Sequence, residues 1–336
     1  MRYLIIGGAG FMGSNYVRYL LKHYDDVEVL VYDKLTYAGR RENLHDVLDD
    51  KRLHFIRADL CDEETLSKVV KEFEPDVVVN FAAETHVDRS INEPSPFLRT
   101  NVMCLFILLE VARKLEVPQL VHISTDEVYG EVLEGSVDED YPFRPSSPYS
   151  ASKAAGDLFC QAYWRTYRLP VKIVRPCNNY GPYQHPEKLI PKTIIRALHS
   201  MPIPLYGGGT QVRDWLYVED FAEALDTIVK RGSRGEAYNV PGFNEKRNIE
   251  VVEKILEILG KPKTLIKTVE DRPGHDRRYS MKGDKILSLG WRPKTGWEEG
   301  LRKTVEWYLS NRWWWEPLLH DDYFRLETPW RRGEKD

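Results

Sequence analysis

Short β-branched runs alternate with longer helical patterns through the first half of the chain. The strand-like runs are RYLIIGG, VEVLVYD, LHFIRAD, DVVVNFAA and QLVHIS, and helical patterns occupy 13–23 and 101–115. These runs lack a regular polar alternation, as expected when helices cover both faces of a parallel sheet. The pattern therefore predicts an α/β fold with a doubly wound parallel sheet.

The second half is less regular. A helix after Tyr149, a strand VKIVRP, helices at 190–199 and 219–230 and a strand AYNV continue the alternation. From about Cys177, the segments NNYGPYQHP and PIPLYGGGT are rich in Pro and Gly and predict loops. We therefore predict a main domain at 1–176, with 213–241 also assigned to it. A smaller mixed C-terminal lobe would comprise 177–212 and 242–336.

Composition and charge are those of a soluble globular protein. Hydrophobic residues make up 42% and charged residues 30%, and the net charge of -4 favours neither nucleic acid nor an anionic membrane as partner. Apolar runs such as 104–109 are far shorter than a bilayer span, so we predict a cytoplasmic protein without a membrane segment. Glutamine occurs only four times, a weak indication of a thermophilic source. The cysteines lack metal-like spacing, which predicts a reduced compartment and no metal site: Cys61, Cys104, Cys160 and Cys177.

Three glycines after the first strand predict a dinucleotide site. Gly7, Gly10 and Gly13 stand where a helix begins, and glycine there lets the backbone approach a pyrophosphate at the helix N-terminus. Asp33 ends the second strand, where its carboxylate would accept from ribose hydroxyls and repel a 2′-phosphate. Together they predict a Rossmann-type domain that binds NAD and not NADP, although Lys34 beside Asp33 argues the other way.

Tyr149 and Lys153 are candidates for acid–base chemistry. Their i, i+4 spacing at the start of a predicted helix places both side chains on one face, and an ammonium near a phenol favours phenolate. The spacing alone is common. It gains weight because the preceding strand ends at Ser124 and Thr125, at the carboxyl edge of the sheet where cofactors bind.

With these motifs, the chain resembles the extended short-chain dehydrogenase/reductase family over nearly its whole length. Further segments are similar to the dTDP-glucose 4,6-dehydratase subgroup: YDKLTYAG, AAETHVDRSI, STDEVYGE, RPCNNYGP, KLIPK, RDWLYVEDF and DRPGHDRRY. The resemblance implies cofactor contacts from Gly7, Gly10, Phe11, Met12, Gly13, Asp33, Lys34, Thr36, Asp59, Leu60, Phe81, Ala82, Ala83, Thr100, Ser124, Tyr149, Lys153 and Asn178. It implies sugar-nucleotide contacts from Thr85, His86, Asn178, Lys188, Leu189, Arg213, Asn248, Arg272 and Tyr279.

Asp126 and Glu127 are the residues that indicate dehydration. Two carboxyl groups beside a hydride-transfer site offer an acid and a base for an elimination, although both could be solvated loop charges. The resemblance implies that Tyr149, assisted by Lys153 and Thr125, takes the C4 hydroxyl proton during oxidation. Glu127 then removes the C5 proton and Asp126 protonates the departing C6 hydroxyl.

Competing functions share the same fold. A nucleotide-sugar 4-epimerase needs Tyr, Lys and NAD but no elimination acids, and a UDP-sugar 4,6-dehydratase would differ only in its substrate. A non-catalytic NAD-binding regulator is the remote alternative, since fold alone does not establish chemistry.

A homodimer is also predicted. The apolar run 104–109 exceeds what one helix face needs, and helices of this kind pair across a two-fold axis in the family. The helix of Tyr149 carries a matching stripe: Ala154, Ala155, Leu158, Phe159 and Ala162.

Overall fold

Seven parallel strands form the central sheet of the protein, whose computed structural model describes residues 1–331. The order β3-β2-β1-β4-β5-β6-β10 confirms the predicted doubly wound, Rossmann-type sheet. In chain order the strands are β1 (Arg2–Ile6), β2 (Glu28–Asp33), β3 (Leu53–Arg57), β4 (Val77–Asn80), β5 (Leu120–Ile123), β6 (Val171–Pro176), β7 (Asn178–Tyr180), β8 (Ile203–Tyr206), β9 (Val212–Tyr217), β10 (Ala237–Val240), β11 (Glu245–Arg247) and β12 (Ile266–Val269).

Five of the helices match predicted ones, and the sequence does not predict the others individually. Those at the central sheet are α1 (Phe11–His23), α2 (Glu63–Phe73), α3 (Val87–Asn92), α4 (Ser95–Leu98), α5 (Leu105–Lys114) and α6 (Pro148–Tyr167), with a π-helical segment, Arg99–Cys104, leading into α5. The later helices are α7 (Leu189–Leu198), α8 (Val218–Arg231), α9 (Asn248–Leu259), α10 (Asp284–Ser288), α11 (Trp297–Ser310), α12 (Arg312–Trp315) and α13 (Asp322–Arg325). The five that match are α1, α5, α6, α7 and α8.

Both faces of the central sheet are buried, which explains the missing polar alternation. Along β1, Tyr3 and Ile5 belong to the core that α1 and α8 cover. Leu4 and Ile6 point the other way, into the core beneath α2, α5 and α6. Successive side chains of a strand alternate between faces, so a strand between two helix layers needs apolar residues at every position.

The loop prediction for the Pro- and Gly-rich segments is wrong in part. Asn178–Tyr180 forms β7, in a three-stranded sheet with β9 and β11, and Ile203–Tyr206 forms β8, which pairs in parallel with β12. Each strand finds its partner far along the chain, so no local pattern indicates the pairing. Pro204 is tolerated because a two-stranded sheet leaves one edge free of ladder bonds.

A C-terminal segment folds back onto α7 through two buried cations. Lys192 Nζ donates to the carbonyls of Tyr323 and Leu326, and Arg196 Nη2 donates to those of Phe324 and Arg325. The acceptors lie in and after α13, where helix carbonyls lack intrahelical partners. The end of the described chain is thereby fastened to α7.

The structure overturns the expectation of fully reduced cysteines. Cys61 and Cys104 form a disulfide that joins the loop after β3 to the end of the π-helical segment, whereas Cys160 and Cys177 are buried free thiols. Because the bonded cysteines are 43 residues apart in sequence, spacing gave no indication of the pair. Asp59 lies close to both sulfurs, but a disulfide offers no thiolate to a metal.

One helical stretch, Ser95–Lys114, is long and apolar enough to cross a membrane, although no single apolar run indicates this. Within these 20 residues, an 18-residue segment has a mean hydropathy of 1.4, and 44% of that segment is buried inside the protein. Leu105, Leu108 and Leu109 pack into the sheet core. A buried core helix satisfies the same test, so this stretch is weak support for a membrane span.

Candidate active site

A deep cavity opens at the carboxyl ends of the central strands. Its walls come from the start of α1, the loops after β2, β3 and β4, the end of β5 and the start of α6. Every residue predicted to contact the cofactor lines this cavity, and so do the predicted catalytic residues Thr125, Asp126, Glu127, Tyr149 and Lys153. The structure therefore brings the two predicted sets together in one place.

The glycines around the N-terminus of α1 are required because other backbone atoms approach them closely. Gly7 has a φ of +74°, and a Cβ there would lie 2.6 Å from the backbone nitrogen of Ala82. A Cβ on Gly13 would lie 2.5 Å from the carbonyl oxygen of Gly7. Gly10 is the N-cap of α1 and has no side chain to occupy the space before the free N–H groups of the first turn. These positions leave a cradle for an anionic group at the helix N-terminus.

Asp33 and the neighbouring Lys34 have different partners in the structure. Asp33 is buried, and its carboxylate accepts from the backbone N–H groups of Ala9 and Leu35 at 2.9 and 2.8 Å. Lys34, which could have met a 2′-phosphate, instead pairs with Asp59 at 2.7 Å, and Arg99 reaches the same carboxylate at 3.5 Å. No cation is directed at Asp33 among these contacts, which favours ribose hydroxyls there.

Tyr149 and Lys153 share the first turns of α6. Ser147 caps this helix in a reciprocal capping box with Ser150, and Pro148 occupies its first turn, so the helix starts just before Tyr149. Lys153 Nζ donates to the carbonyl of Ile123 at 2.6 Å. Burial lowers the pKa of Lys153 to about 8.

The phenol of Tyr149 is buried and neutral in the chain alone. Burial raises its pKa above the ordinary value, and the charge of Glu127 raises it further, while a hydrogen bond with Thr125 lowers it. Positive charge beside the phenol is therefore needed before it can accept a proton, and Lys153 is the cation placed on the same helix face.

Asp126 and Glu127 enter the cavity in different electrostatic surroundings. Asp126 is only 4% exposed, and burial together with the charge of Glu127 raises its pKa to about 8. Burial also raises the pKa of Glu127, but Arg272, Arg213 and Lys188 oppose that shift. Asp126 is thus suited to donate a proton near neutral pH, whereas the cations near Glu127 favour the charged form that can accept one. The alternative that both are solvated loop charges is wrong.

Most predicted sugar-nucleotide residues lie beside the cavity. Thr85, Asn178 and Lys188 line it directly. Arg272 Nη1 pairs with the buried Asp88 at 2.9 Å, and Arg213 stacks over the ring of Tyr279. The remaining members are placed as follows: His86 is the buried N-cap of α3, Leu189 is the first residue of α7, and Asn248, with an unpartnered buried Oδ1 among residues 1–331, is the first residue of α9.

Sequence reasoning missed several residues of the cavity wall. Glu187 is buried and accepts from Tyr37 Oη at 3.0 Å and from Arg89 Nε at 2.8 Å. Glu187 directly precedes Lys188 of the segment KLIPK, and Tyr37 lies within the segment YDKLTYAG. Their places beside or within these motifs could have indicated that both belong to the site. The other missed lining residues include Glu84, Cys104, Gln184 and His185.

The wall fits a nicotinamide dinucleotide. The cradle before α1 suits a pyrophosphate, Asp33 suits a ribose, and the buried Ser124 hydroxyl has no hydrogen-bond partner within residues 1–331. Tyr149 and Lys153 line the same cavity and could act on a substrate beside the reactive ring of such a cofactor.

Known proteins share the fold and much of the sequence of this chain. The family described as GDP-mannose 4,6 dehydratase matches residues 4–304. The dTDP-glucose 4,6-dehydratase of Salmonella typhimurium is 48% identical, covering 94% of this chain and 94% of its own. A dTDP-glucose 4,6-dehydratase structure from Streptomyces venezuelae, with NAD and a further ligand bound, is 47% identical with a TM-score of 0.92, covering 95% of this chain and 100% of its own. The UDP-glucose 4-epimerase of Thermus thermophilus with NAD is 36% identical with a TM-score of 0.86, covering 93% and 100%. The chain therefore belongs to the GDP-mannose 4,6-dehydratase group of the extended short-chain dehydrogenase/reductase family.

Proposed function

We propose that this protein is an NAD-dependent dTDP-glucose 4,6-dehydratase, which converts dTDP-glucose to dTDP-4-keto-6-deoxyglucose. The observation that carries the proposal is the pair Asp126 and Glu127, which enter the Tyr149–Lys153 cavity with different tendencies to hold a proton. An elimination needs both an acid and a base next to the oxidised carbon. The 48% identical Salmonella relative carries the name of this activity.

Each side chain then has one task. Tyr149, held near Thr125 and Lys153, accepts the C4 hydroxyl proton. Bound NAD would take the C4 hydride and return it to C6, so that the cofactor is regenerated. Because the C4 carbonyl makes the C5 hydrogen acidic, Glu127 removes it as a proton, and a proton is returned to C5 when the hydride adds to C6. Asp126 protonates the C6 hydroxyl as it leaves as water.

The sugar nucleotide would be held by the basic residues beside the cavity. Arg213, Arg272 and Lys188 all act electrostatically on Glu127, so they surround the reacting end. Guanidinium groups suit a diphosphate because their planar donors match its oxygens. Thr85, His86, Asn178, Leu189, Asn248 and Tyr279 complete the proposed substrate site, and the proposed cofactor contacts are the predicted residues of the cavity wall.

The rival functions make different products. A 4-epimerase would not need the buried Asp126, and a UDP-sugar 4,6-dehydratase would use the same acids on another nucleotide. We expect dTDP-glucose to lose one water and yield a 4-keto-6-deoxy sugar when incubated with the purified protein. The matched incubations contain UDP-glucose and the two galactose nucleotides, with products identified by mass and NMR. An epimer of unchanged mass would contradict the proposal, and no turnover of any sugar would favour a regulator.

Two further parts of the proposal concern organisation. We retain the division into a cofactor domain (1–176 with 213–241) and a substrate lobe (177–212 with 242–336), which the β8–β12 sheet supports because both of its strands lie in the lobe. The strand β9, by contrast, lies in 213–241 but pairs with β7 and β11 of the lobe. We also retain the absence of nucleic-acid and membrane partners, which the net charge of -4 supports. The cytoplasmic location is retained with the Cys61–Cys104 disulfide, a bond that intracellular proteins of hyperthermophiles carry.

The proposed homodimer would use the outer face of α5 and α6. Phe106 and Phe159 are partly exposed and contact each other edge to face, with ring centroids 6.3 Å apart. Met103 and Leu158 beside them are more than half exposed. An apolar patch of adjacent large side chains is typical of a partner surface.

Replacing both phenylalanines by glutamate should therefore release single chains. We expect the Phe106→Glu/Phe159→Glu variant to show half the wild-type mass in light scattering, because the charges would be desolvated in the interface. Leu133→Glu, at another half-exposed leucine, is the matched control and should leave the mass unchanged. A single-chain mass for the wild type would contradict the dimer.

A further inference from the structure

Behind Tyr149 and Lys153, the protein holds a buried ion pair that the proposed steps leave unused. Asp157 lies one helical turn beyond Lys153 on α6, and its Oδ2 accepts from Arg175 Nε at 2.8 Å. Both side chains are fully buried. Burying two charges costs solvation free energy that their attraction only partly offsets, so such a pair is a weak source of stability. Stability alone therefore does not account for this pair.

Arg175 is held rigidly by its other contacts. Its Nη1 donates to the hydroxyl of Tyr129 at 2.6 Å and to the carbonyl of Glu139 at 3.0 Å. The guanidinium also lies over the rings of Tyr129 and Phe143. These contacts fix the position of the guanidinium that donates to one oxygen of Asp157.

The second oxygen of Asp157 is not neutralised. Oδ1 has no hydrogen-bond partner within the described residues, and neither has His122 Nε2, which lies 4.0 Å away. His122 Nδ1 lies 3.3 Å from the amide of Asn80. Burial and the charge of Lys153 hold the pKa of His122 well below its ordinary value, so the imidazole is neutral. The free oxygen therefore leaves negative charge available to Lys153, its i−4 neighbour on α6.

We propose that Asp157 is a positioning residue for the reaction: it keeps the Lys153 ammonium charged beside Tyr149, and Arg175 limits the strength of this effect. The inference rests on the proposed function, because Lys153 matters only if Tyr149 exchanges a proton with the substrate. Asp157 does not line the cavity, and it acts on the reaction mainly through Lys153; its charge also reaches Tyr149 directly, as a minor influence that raises the pKa of the phenol.

The electrostatics of Lys153 agree with this arrangement. Burial lowers its pKa, and Asp157 is the largest influence that raises it again. Cys160 also faces Lys153, but burial raises the pKa of its thiol, which keeps the thiol neutral. The titratable and charged groups around Lys153 are Tyr149, Asp157 and Cys160 on α6, His122 on β5, Arg175 on β6, and Asp126 and Glu127 beyond Tyr149.

The test compares two substitutions with opposite expected effects. NADH formation on mixing with dTDP-glucose should decline at alkaline pH as Lys153 loses its proton. In Asp157→Asn, that decline should move to lower pH by about one unit or more, because Lys153 then lacks the negative charge that most raises its pKa. In Arg175→Gln it should move to higher pH, because Asp157 then acts on Lys153 unopposed. A purely structural pair would move both variants in the same direction or neither.

The double variant Asp157→Asn/Arg175→Gln guards against misfolding. Removing both charges leaves no unpaired buried ion, so this variant should fold and show a decline close to that of the wild type. The ionisation of Lys153 can also be measured without turnover, in the cofactor-free proteins. Competitive acetylation across a pH series, followed by peptide mass spectrometry, should show Lys153 becoming reactive at lower pH in Asp157→Asn and at higher pH in Arg175→Gln.

The outcomes separate this inference from the proposed function. Shifts of opposite sign in the acetylation series support the role of Asp157, even if dTDP-glucose is not turned over. An active wild type whose alkaline decline and acetylation profile do not move in either single variant overturns the inference and leaves the dehydratase proposal intact.

Discussion

Glu127→Gln is expected to abolish exchange of the C5 hydrogen with solvent, while oxidation at C4 continues. The substitution keeps the shape of the side chain and removes its ability to accept a proton. Overall turnover should fall by about 10²–10⁴-fold, the usual contribution of a positioned acid or base. The measurements are NADH absorbance on mixing with dTDP-glucose and deuterium incorporation at C5 in heavy water.

Asp126→Asn is the matched control, since it changes the neighbouring carboxyl group by the same chemistry. The buried Asp126 is suited to donate, because its pKa is raised to about 8. This variant should retain both C4 oxidation and C5 exchange and should lose only the departure of water from C6. Normal C5 exchange in Glu127→Gln would show that another group is the base, and the assignments of the two acids would have to be exchanged or abandoned.

Removing the disulfide is expected to lower the free energy of unfolding by about 4 kcal/mol. The bond closes a loop of 43 residues, and chain-entropy arguments give about this value for such a loop. The effect arises mainly because the cross-link restricts the unfolded chain. Urea unfolding of Cys61→Ser/Cys104→Ser at a fixed protein concentration measures it.

Reductant provides the control for this experiment. Treatment with a strong reductant should destabilise the wild type to the level of the double variant and should leave the double variant unaffected. The buried Cys160 and Cys177 are present in both proteins, so they cancel in the comparison. Identical unfolding of the wild type with and without reductant would show that the bond does not form in solution.

The cofactor side of the cavity could be predicted because its signals are local. Gly7, Gly10 and Gly13 follow a strand, Asp33 ends the next strand, and parallel strands deliver their carboxyl ends to one edge. Once the alternation of strands and helices is recognised, the position of each of these residues in space follows. The same holds for Tyr149 and Lys153, which share one face of α6.

The other features depend on contacts between distant parts of the chain. Cys61 and Cys104 meet because the loop after β3 and the π-helical segment border the same cavity wall. The pairing of Lys34 with Asp59 removes the main objection to NAD, and only the folded chain shows it. Likewise, Asp126 and Glu127 differ in their tendency to hold a proton because of burial and because of the nearby Arg213 and Arg272. Their adjacency in sequence could not indicate these causes.

The fastening of the C-terminal segment to α7 has a consequence for biosynthesis. Lys192 finds its acceptor on Tyr323, which the ribosome adds 131 residues later. Until then, the carbonyls that accept from Lys192 Nζ and from Arg196 Nη2 in the finished protein have not yet been made, whereas Arg196 Nη1 has a nearby acceptor, the carbonyl of Pro202. During translation, β1 to β5 can already pair. The helix α7, in contrast, completes its contacts only after the C-terminal segment with α13 has been synthesised.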